Sequence, residues 1–274
     1  MIALPKRSKR KRPITGFEVY RGPSALGGGD VVGIVTIRSE NRKTGDMAQL
    51  WILPADTSPL EALQAGDNYA ACGDCPLQGV FDPAAGRMSG RVCYVNVGQA
   101  PVGVWRAFRS GRYPRYVPNV HGEVLADRPI RLGAYGDPAA LPVELLEHLA
   151  SVATGWTGYS HQLFRIDRER ADRLARLLMV SCHNQAQLDE ARRRGWRAFI
   201  TVAAENAERG RLPAGAVECP AYTRGVSCAT CQLCRGTSRK ALDVYAIGHG
   251  RSAVNLLPIQ PRGIREDETA YVAV

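Results

Sequence analysis

The chain has 274 residues, of which 45% are hydrophobic and 23% charged, and this is the composition of a globular protein with a proper core. No apolar run reaches the roughly 18 residues that a membrane span needs. No apolar segment follows the N-terminal charges, as a secretory signal would require. The sequence therefore argues against a membrane-spanning or secreted protein and predicts a cytoplasmic one, in which cysteines stay reduced.

The formal net charge is +10, and six of the basic residues lie within positions 6–12. Residues 1–15 are therefore predicted to form a basic tail on a body that is only mildly basic. Such a tail can contact nucleic-acid phosphates through charge alone. A solvated tail that aids solubility is the equal alternative.

The first part of the chain is predicted to contain short strands and two helices. The strands cover residues 17–20, 31–37, 48–53 and 91–97, and the helices cover 59–64 and 99–116. A Gly-Gly-Gly run at 27–29 predicts a hairpin loop, because the chain has no phosphate-binding fingerprint. The segment from Trp105 to Tyr116 mixes arginine with aromatic residues, which suits nucleic acid and equally suits an amphipathic helix.

From residue 128 onward, strands alternate with helices. Strands are predicted at 129–135, 157–164, 178–181, 197–203, 216–218 and 244–247, and helices at 142–153, 168–177 and 185–194. This alternation indicates an α/β fold with a parallel sheet that forms a partial βα barrel. The predicted domain covers residues 16–250, with metal-binding inserts at 72–97 and 219–234, and is followed by a C-terminal extension at 251–274.

Two sets of cysteines predict metal binding. Thiolates are soft ligands that suit zinc or an iron–sulfur cluster, and thiols two residues apart can face one centre if the backbone curls. One set has four cysteines and the other has three. A fourth ligand for the smaller set could be Cys182, a histidine, Asp74, an exogenous group or nothing. The larger set is Cys219, Cys228, Cys231 and Cys234, and the smaller set is Cys72, Cys75 and Cys93.

Polar side chains recur directly after the predicted strands. In parallel α/β folds the carboxyl ends of the strands carry the site, so these residues are expected to line one mouth of the barrel. The candidate catalytic residues are Asp137, His161, His183 and Glu205. The candidate cofactor-binding residues are Tyr135, Gln162 and His249.

Several motifs resemble an uncharacterised family of phage- and plasmid-encoded cysteine-rich proteins. The matching stretches are NRKTGDMAQLWIL, CGDCP, CYVNV, RLGAYGDPAALP, WTGYSHQ, GWRAF, ECPAY with the C-x2-C-x2-C motif, and GHG. They cover most of residues 41–250. The resemblance implies a phage or mobile-element protein that works in the cytoplasm of a bacterial host.

The strand order and the polar strand ends also resemble the partial barrel of radical SAM enzymes. That resemblance implies that Cys72, Cys75 and Cys93 hold a [4Fe–4S] cluster whose open iron binds S-adenosylmethionine. The set Cys219 to Cys234 would then hold an auxiliary cluster.

Two other functions remain open from the residues alone. In the main alternative the protein is a zinc-stabilised, replication-associated nucleic-acid-binding protein, because four thiolates also form a structural zinc site. A zinc hydrolase that uses His161, His183 or His249 ranks last, because the chain has no paired histidine motif. The sequence also leaves open whether the two cysteine sets form one centre or two.

Overall fold

The computed structural model describes residues 13–248, which form a nine-stranded sheet and a separate two-stranded hairpin. The strands are β1 (Gly16–Pro23), β2 (Asp30–Thr36), β3 (Ala48–Pro54), β4 (Val80–Asp82), β5 (Arg87–Ser89), β6 (Ile130–Tyr135), β7 (Trp156–Ser160), β8 (Met179–Cys182), β9 (Ala198–Val202), β10 (Ala216–Glu218) and β11 (Asp243–Ile247). The hairpin consists of β4 and β5.

The helices lie mostly between the strands. They are α1 (Pro59–Gln64), α2 (Tyr69–Cys72), α3 (Ala100–Arg109), α4 (Pro118–Ala126), α5 (Val143–Val152), α6 (Arg168–Leu177), α7 (Gln185–Arg193), α8 (Ala204–Glu208), α9 (Pro220–Thr223) and α10 (Cys228–Cys231). Asp167 and Asn184 cap α6 and α7, because their side chains accept hydrogen bonds from backbone N–H groups in the first turn.

The large sheet follows the order β1-β2-β3-β6-β7-β8-β9-β11-β10. The first two pairings are antiparallel, and every pairing from β3 to β10 is parallel. This confirms an α/β fold with a mostly parallel sheet. From β3 to β9 the strands follow one another in sequence order, so the connections advance in one direction across the sheet. Within residues 13–248 the order runs between β1 and β10 and does not show barrel closure.

Both faces of the sheet are covered. On one face, Leu132, Val180 and Ile200 pack in the main core against leucines of α5 and α6. On the other face, Leu53 and Tyr135 pack with residues of α1 and α3 in a second, smaller cluster. A third cluster joins the side chains of Met179, Cys234 and Val244. Successive strand residues point to opposite faces, so the second and third clusters lie opposite the main core. Cys219 and Cys234 contact the third cluster, whereas Cys72 packs against both the second cluster and the main core.

Two sequence predictions in the first half are wrong. Residues 91–97 do not form a strand, because the N–H groups of Val92 and Cys93 both donate to the Leu77 carbonyl and hold the segment against a short 3-10 turn. The helix predicted at 99–116 ends at Arg109. Gly111, with φ of 68°, and Pro114 follow it, and neither continues a helix well.

The strand predicted at 157–164 ends at Ser160, so His161 and Gln162 lie just beyond it. The sequence analysis also omitted α2, α4, α8 and the β4–β5 hairpin. Within 13–248, no helix is long and apolar enough to cross a membrane. Most of the predicted basic tail, the 251–274 extension and His249 lie outside the described residues.

Candidate metal centres

The three-thiol group consists of Cys72, Cys75 and Cys93. Cys72 ends α2, and Gly73 then turns the chain with φ of 57°. Cys75 precedes the 3-10 turn, and Cys93 lies in the loop that is held to the same turn. Burial raises the pKa of Cys72 well above its usual value, and the nearby Cys75 and Cys93 raise it further. The three thiols are therefore close enough for the charge of Cys75 or Cys93 to shift the pKa of Cys72.

Hydrogen bonds fix the position of Cys72. Asn68, which is 3% exposed, donates from Nδ2 to the Cys72 sulfur over 3.1 Å. The Tyr135 hydroxyl donates to Asn68 Oδ1 over 3.2 Å. Gln162 donates from Nε2 to the Cys72 carbonyl over 3.1 Å, and a Cβ at Gly73 would lie 2.5 Å from the Gln162 side chain. Two of the predicted cofactor-binding residues, Tyr135 and Gln162, thus support this group.

A buried carboxylate lies beside the three-thiol group. Asp137 accepts hydrogen bonds from Ser160 Oγ and from the His161 N–H, both over 2.7 Å. Burial raises the pKa of Asp137 to about 6, although these hydrogen bonds act in the opposite direction. At pH 7 this carboxyl group is therefore mostly ionised and takes up a proton under mildly acidic conditions.

His161 and His183 form a stacked pair at neighbouring strand ends. Their rings are 4.9 Å apart, and His161 Nδ1 lies 2.9 Å from His183 Nε2. Burial lowers the pKa of His161 well below its usual value, and the charge of His183 lowers it further. Burial also lowers the pKa of His183 to about 4, with help from Arg165. Both rings are therefore neutral at pH 7, and one ring nitrogen donates to the other.

Other predicted residues do not join this site. Glu205 begins the short helix α8, remains exposed and pairs with Arg209 one turn later. Cys182 is buried in the main core on the opposite face, which removes it as a fourth ligand. Asp74 is exposed and pairs with Arg165 over 3.2 Å.

The four-thiol group is built by a tight curl of the chain. Ser227 caps the single turn α10, which begins at Cys228 and ends at Cys231 and so brings these two cysteines close together. Gln232 then adopts φ of 48°, the left-handed region that side chains rarely occupy, and this reverses the chain towards Cys234. Together with Cys219, these cysteines line one small cavity.

Backbone hydrogen bonds anchor the four-thiol group to the sheet. Gly158, in the middle of β7, donates to the Cys234 carbonyl over 3.0 Å, and Cys228 donates to the Lys43 carbonyl in the turn before β3. Burial raises the pKa of Cys234 to about 12, although a hydrogen bond from the Tyr159 hydroxyl acts against this. Leu233 and Val244 add apolar surface to the cavity wall, while the positive charge of Arg131 lowers the pKa of Cys228 against the effect of burial.

The two groups occupy different positions on the sheet. The three-thiol group contacts residues at and beyond the carboxyl ends of β6 and β7, whereas the four-thiol group contacts Thr157 and Tyr159 inside β7 and the turn before β3. Each cysteine pKa that shifts through neighbouring thiols responds to members of its own group. This arrangement favours two centres over one.

No set of three or more His, Cys, Asp or Glu side chains within 13–248 is already arranged to hold a metal ion. The donor chemistry nevertheless fits a thiophilic metal, because each group brings several thiols together near buried surface. Burial raises the pKa of Cys72, Cys75, Cys219, Cys228 and Cys234, so without a cation these five thiols stay protonated, and metal binding would release their protons.

Four residues of these sites were missed by the sequence analysis. Asn68 precedes Cys72 by one helical turn, and Ser160 is adjacent to His161, so both positions were readable in principle. Arg131 stood out as a charge within an apolar strand, and Tyr159 as an aromatic residue three positions from Trp156. None carries a recognisable motif.

The aromatic residues of the predicted nucleic-acid segment mostly pack inward. Phe108 is 5% exposed in the second core cluster, and Trp105 donates from Nε1 to the Pro54 carbonyl. Arg109 stacks on Trp105 with its guanidinium carbon 5.5 Å from the ring centre. This is the packing of an amphipathic helix with snorkelling arginines.

Comparisons with models of protein families, with proteins of curated function and with solved structures give no match for this chain.

Proposed function

We propose that this protein is an iron–sulfur enzyme with two cysteine-ligated clusters, one reactive and one auxiliary. The observation that carries this proposal is the position of the three-thiol group. Cys72, Cys75 and Cys93 meet at the carboxyl ends of the parallel strands, beside the buried carboxylate of Asp137. This is the edge at which α/β folds with sequential strand order place their chemistry.

The proposed fold is a partial α/β barrel similar to that of radical SAM enzymes. The sequential order from β3 to β9 supports it, as does the position of the first two cysteines after β3. Cys93 also lies in a loop, as do the cysteines that hold the cluster in that superfamily. The C-x2-C-x17-C spacing differs from the C-x3-C-x2-C of that superfamily, so the cluster loop here would be longer.

When bound, a cluster with three thiolate ligands supplies an open iron position and an electron for reductive cleavage of S-adenosylmethionine. Cys72, Cys75 and Cys93 would hold it, and the Asn68 N–H would stabilise the Cys72 thiolate. The buried Asp137 carboxylate can take up a proton under mildly acidic conditions, whereas the histidine pair stays neutral at pH 7 and offers ring nitrogens for hydrogen bonds.

The four-thiol group would hold the auxiliary cluster. Its four ligands leave no open position, and apolar residues surround it, so a structural or electron-relaying role fits. The same donors suit structural zinc, which is the basis of the alternative function. In that alternative the protein is a zinc-stabilised, replication-associated nucleic-acid-binding protein that uses its basic tail.

The test is metal and acid-labile sulfide content, with an absorbance spectrum, on protein purified without oxygen. We expect a brown protein with absorbance near about 400 nm. Cys75→Ser and Cys231→Ser should each lose part of the iron. Cys182→Ala is the matched control, because Cys182 lies in the main core outside both groups, and it should keep all the iron.

A second measurement tests the reactive role of the three-thiol group. With a reductant, cleavage of S-adenosylmethionine to 5′-deoxyadenosine should disappear in Cys75→Ser and persist in Cys182→Ala. A colourless protein with zinc and no sulfide would contradict the proposal. Salt-dependent binding to DNA or RNA by such a protein would then support the alternative.

A further inference from the structure

A large cavity lies on the same face of the sheet as the two thiol groups. Its volume is about 890 Å³, within the range of sites that take nucleotide-sized ligands. The wall combines strand residues of β3 and β6, the start of α3 and the loop that follows Cys93. The lining residues that matter here are Gln49, Trp51, Tyr94, Tyr113, Arg128 and Arg131.

Arg131 brings to this cavity a positive charge that no carboxylate of residues 13–248 neutralises. Its Nη2 donates to the Tyr94 hydroxyl over 2.6 Å, and its guanidinium carbon lies 5.8 Å from the centre of the Tyr159 ring. Its Nε is buried without a hydrogen-bond partner. Among residues 13–248, Arg131 forms no ion pair with a carboxylate.

Arg128, three residues before Arg131, differs from it because it does form ion pairs. It lines the same cavity, but it pairs with Asp127 over 2.7 Å and with Asp46 over 3.6 Å. Arg128 is therefore neutralised by the protein itself. The Arg131 side chain is partly buried, with its Nε out of contact with water, and a charge that is partly removed from water is unfavourable unless an anion or a set of acceptors compensates it. Among residues 13–248, the protein supplies Arg131 with one phenol, one aromatic face and the nearby thiol of Cys228, and with no carboxylate.

The rest of the wall suits an organic molecule. Trp51 and Tyr113 offer aromatic surface, and Val104 of α3 adds aliphatic surface. Trp51 uses its own N–H within the protein, because it donates to Thr36 Oγ1 over 3.0 Å. The wall also carries several polar residues, among them Arg38, Glu40 and Asn41, so it combines apolar surface with groups that can fix a ligand's orientation.

We propose that this cavity binds an organic oxyanion, with its carboxylate or phosphate on Arg131 and its apolar part against Trp51 and Tyr113. A guanidinium presents paired N–H donors that match the oxygens of both anions. The inference rests on the cavity and on Arg131, and it does not require a metal in either thiol group.

One other role for Arg131 must be separated from this one. Its charge also reaches Cys228 and favours the thiolate of that residue, so Arg131 could serve only the four-thiol group. In that case, removal of the charge would alter metal retention and leave anion binding unchanged.

The test is calorimetric titration of the purified full-length protein with adenosine 5′-monophosphate and with citrate, and with adenosine as the uncharged control. We expect at least one anion to bind, and adenosine to bind more weakly than its monophosphate. Arg131→Gln should weaken anion binding about tenfold or more, the effect of losing a charged hydrogen-bond donor. Arg211→Gln, an exposed arginine outside the cavity, should bind as the wild type does.

A second variant guards against misfolding of Arg131→Gln. Ala100→Trp places a large side chain at an exposed position of the cavity wall, leaves Arg131 intact and should also weaken binding. Binding of the monophosphate alone would identify a phosphate ligand, and binding of citrate alone a carboxylate ligand. Absence of binding by both anions, or equal binding by wild type and Arg131→Gln, overturns the inference. A zinc protein that binds the anion through Arg131 would contradict the proposed function and keep this inference.

Discussion

The two thiol groups differ in what surrounds them. Cys72 packs against apolar residues, but Asn68 donates to its sulfur and the carboxylate of Asp137 lies close by. Around Cys234 the packed neighbours are Met179 and Val244, one phenol from Tyr159 reaches the sulfur, and no carboxylate among residues 13–248 shifts the pKa of this thiol. The first group lies at strand ends, and the second is tied to the middle of β7 by the Cys234 carbonyl.

This difference separates a reactive environment from a closed one. Buried polar groups that can exchange protons are costly to maintain, and they gather where chemistry needs them. An apolar shell instead keeps water away from a fully ligated centre. We therefore expect changes in the four-thiol group to affect mainly stability, and changes in the three-thiol group to affect mainly reactivity.

The largest expected effect is on stability. Cys234→Ala should lower the free energy of unfolding by about 3 kcal/mol or more, because it removes a metal ligand as well as a core contact. Cys93→Ala, in a partly exposed loop, should cost about 1 kcal/mol. Urea unfolding followed by circular dichroism in oxygen-free buffer measures both values. Equal losses in the two variants would show that the groups do not differ in this way.

Gly73 should be a sensitive backbone position of the three-thiol group. Gly73→Ala forces a side chain onto φ of 57° and ψ of −149°, and its Cβ would lie 2.5 Å from Gln162. We expect a loss of about 2 kcal/mol in thermal unfolding, together with loss of metal. The matched control is Gly86→Ala, with φ of 62° and no heavy atom within 4 Å of its Cβ. An equally large loss of stability in Gly86→Ala would show that the contact with Gln162 does not cause the loss in Gly73→Ala.

The histidine pair predicts a dependence of stability on pH. His183 has a pKa of about 4 in the folded protein and about 6.5 in an unfolded chain, so its contribution is present above about pH 6.5 and is lost as the pH falls towards 4. Asp137 acts in the opposite direction, because its pKa is raised to about 6 and protonation of the folded state adds stability below that pH.

His183→Gln isolates the histidine contribution, because Asp137 is present in both proteins. Between pH 7 and pH 5 the wild type should lose about 1–2 kcal/mol more stability than this variant. Urea titrations at the two pH values give the difference. His148→Gln, on α5, is the control and should behave as the wild type does. A wild type that loses no more stability than His183→Gln would refute the predicted role of the pair.

The smallest expected effect concerns the hydrogen bonds to sulfur. Asn68→Ala removes the N–H donor to Cys72, and Tyr159→Phe removes the hydroxyl donor to Cys234. Each change should lower the reduction potential of one cluster by about 60 mV, the equivalent of one hydrogen bond to a charged group. Redox titration followed by absorbance would detect this. A shift of the same cluster in both variants would mean that the two groups form one centre.

Periodicity and turn chemistry in the sequence were enough to predict much of the fold. The strand at 216–218 and the helices at 59–64 and 168–177 agree with β10, α1 and α6. These predictions succeed because alternating burial and capping residues act locally. The failures at 91–97 and 110–116 have other causes, since Val92 and Cys93 are held to the Leu77 carbonyl instead of a strand, and Gly111 and Pro114 end the helix.

The sequence by itself determined the α/β class, the parallel sheet and the two cysteine sets, because these depend on residue type and short spacing. Only the tertiary structure decided which side chains meet. It placed Asn68 on Cys72, stacked His161 on His183, placed Cys182 in the main core and, among residues 13–248, left Arg131 without a carboxylate partner. The physical reason is that strand order and pleat direction, which arise from long-range pairing, set these distances.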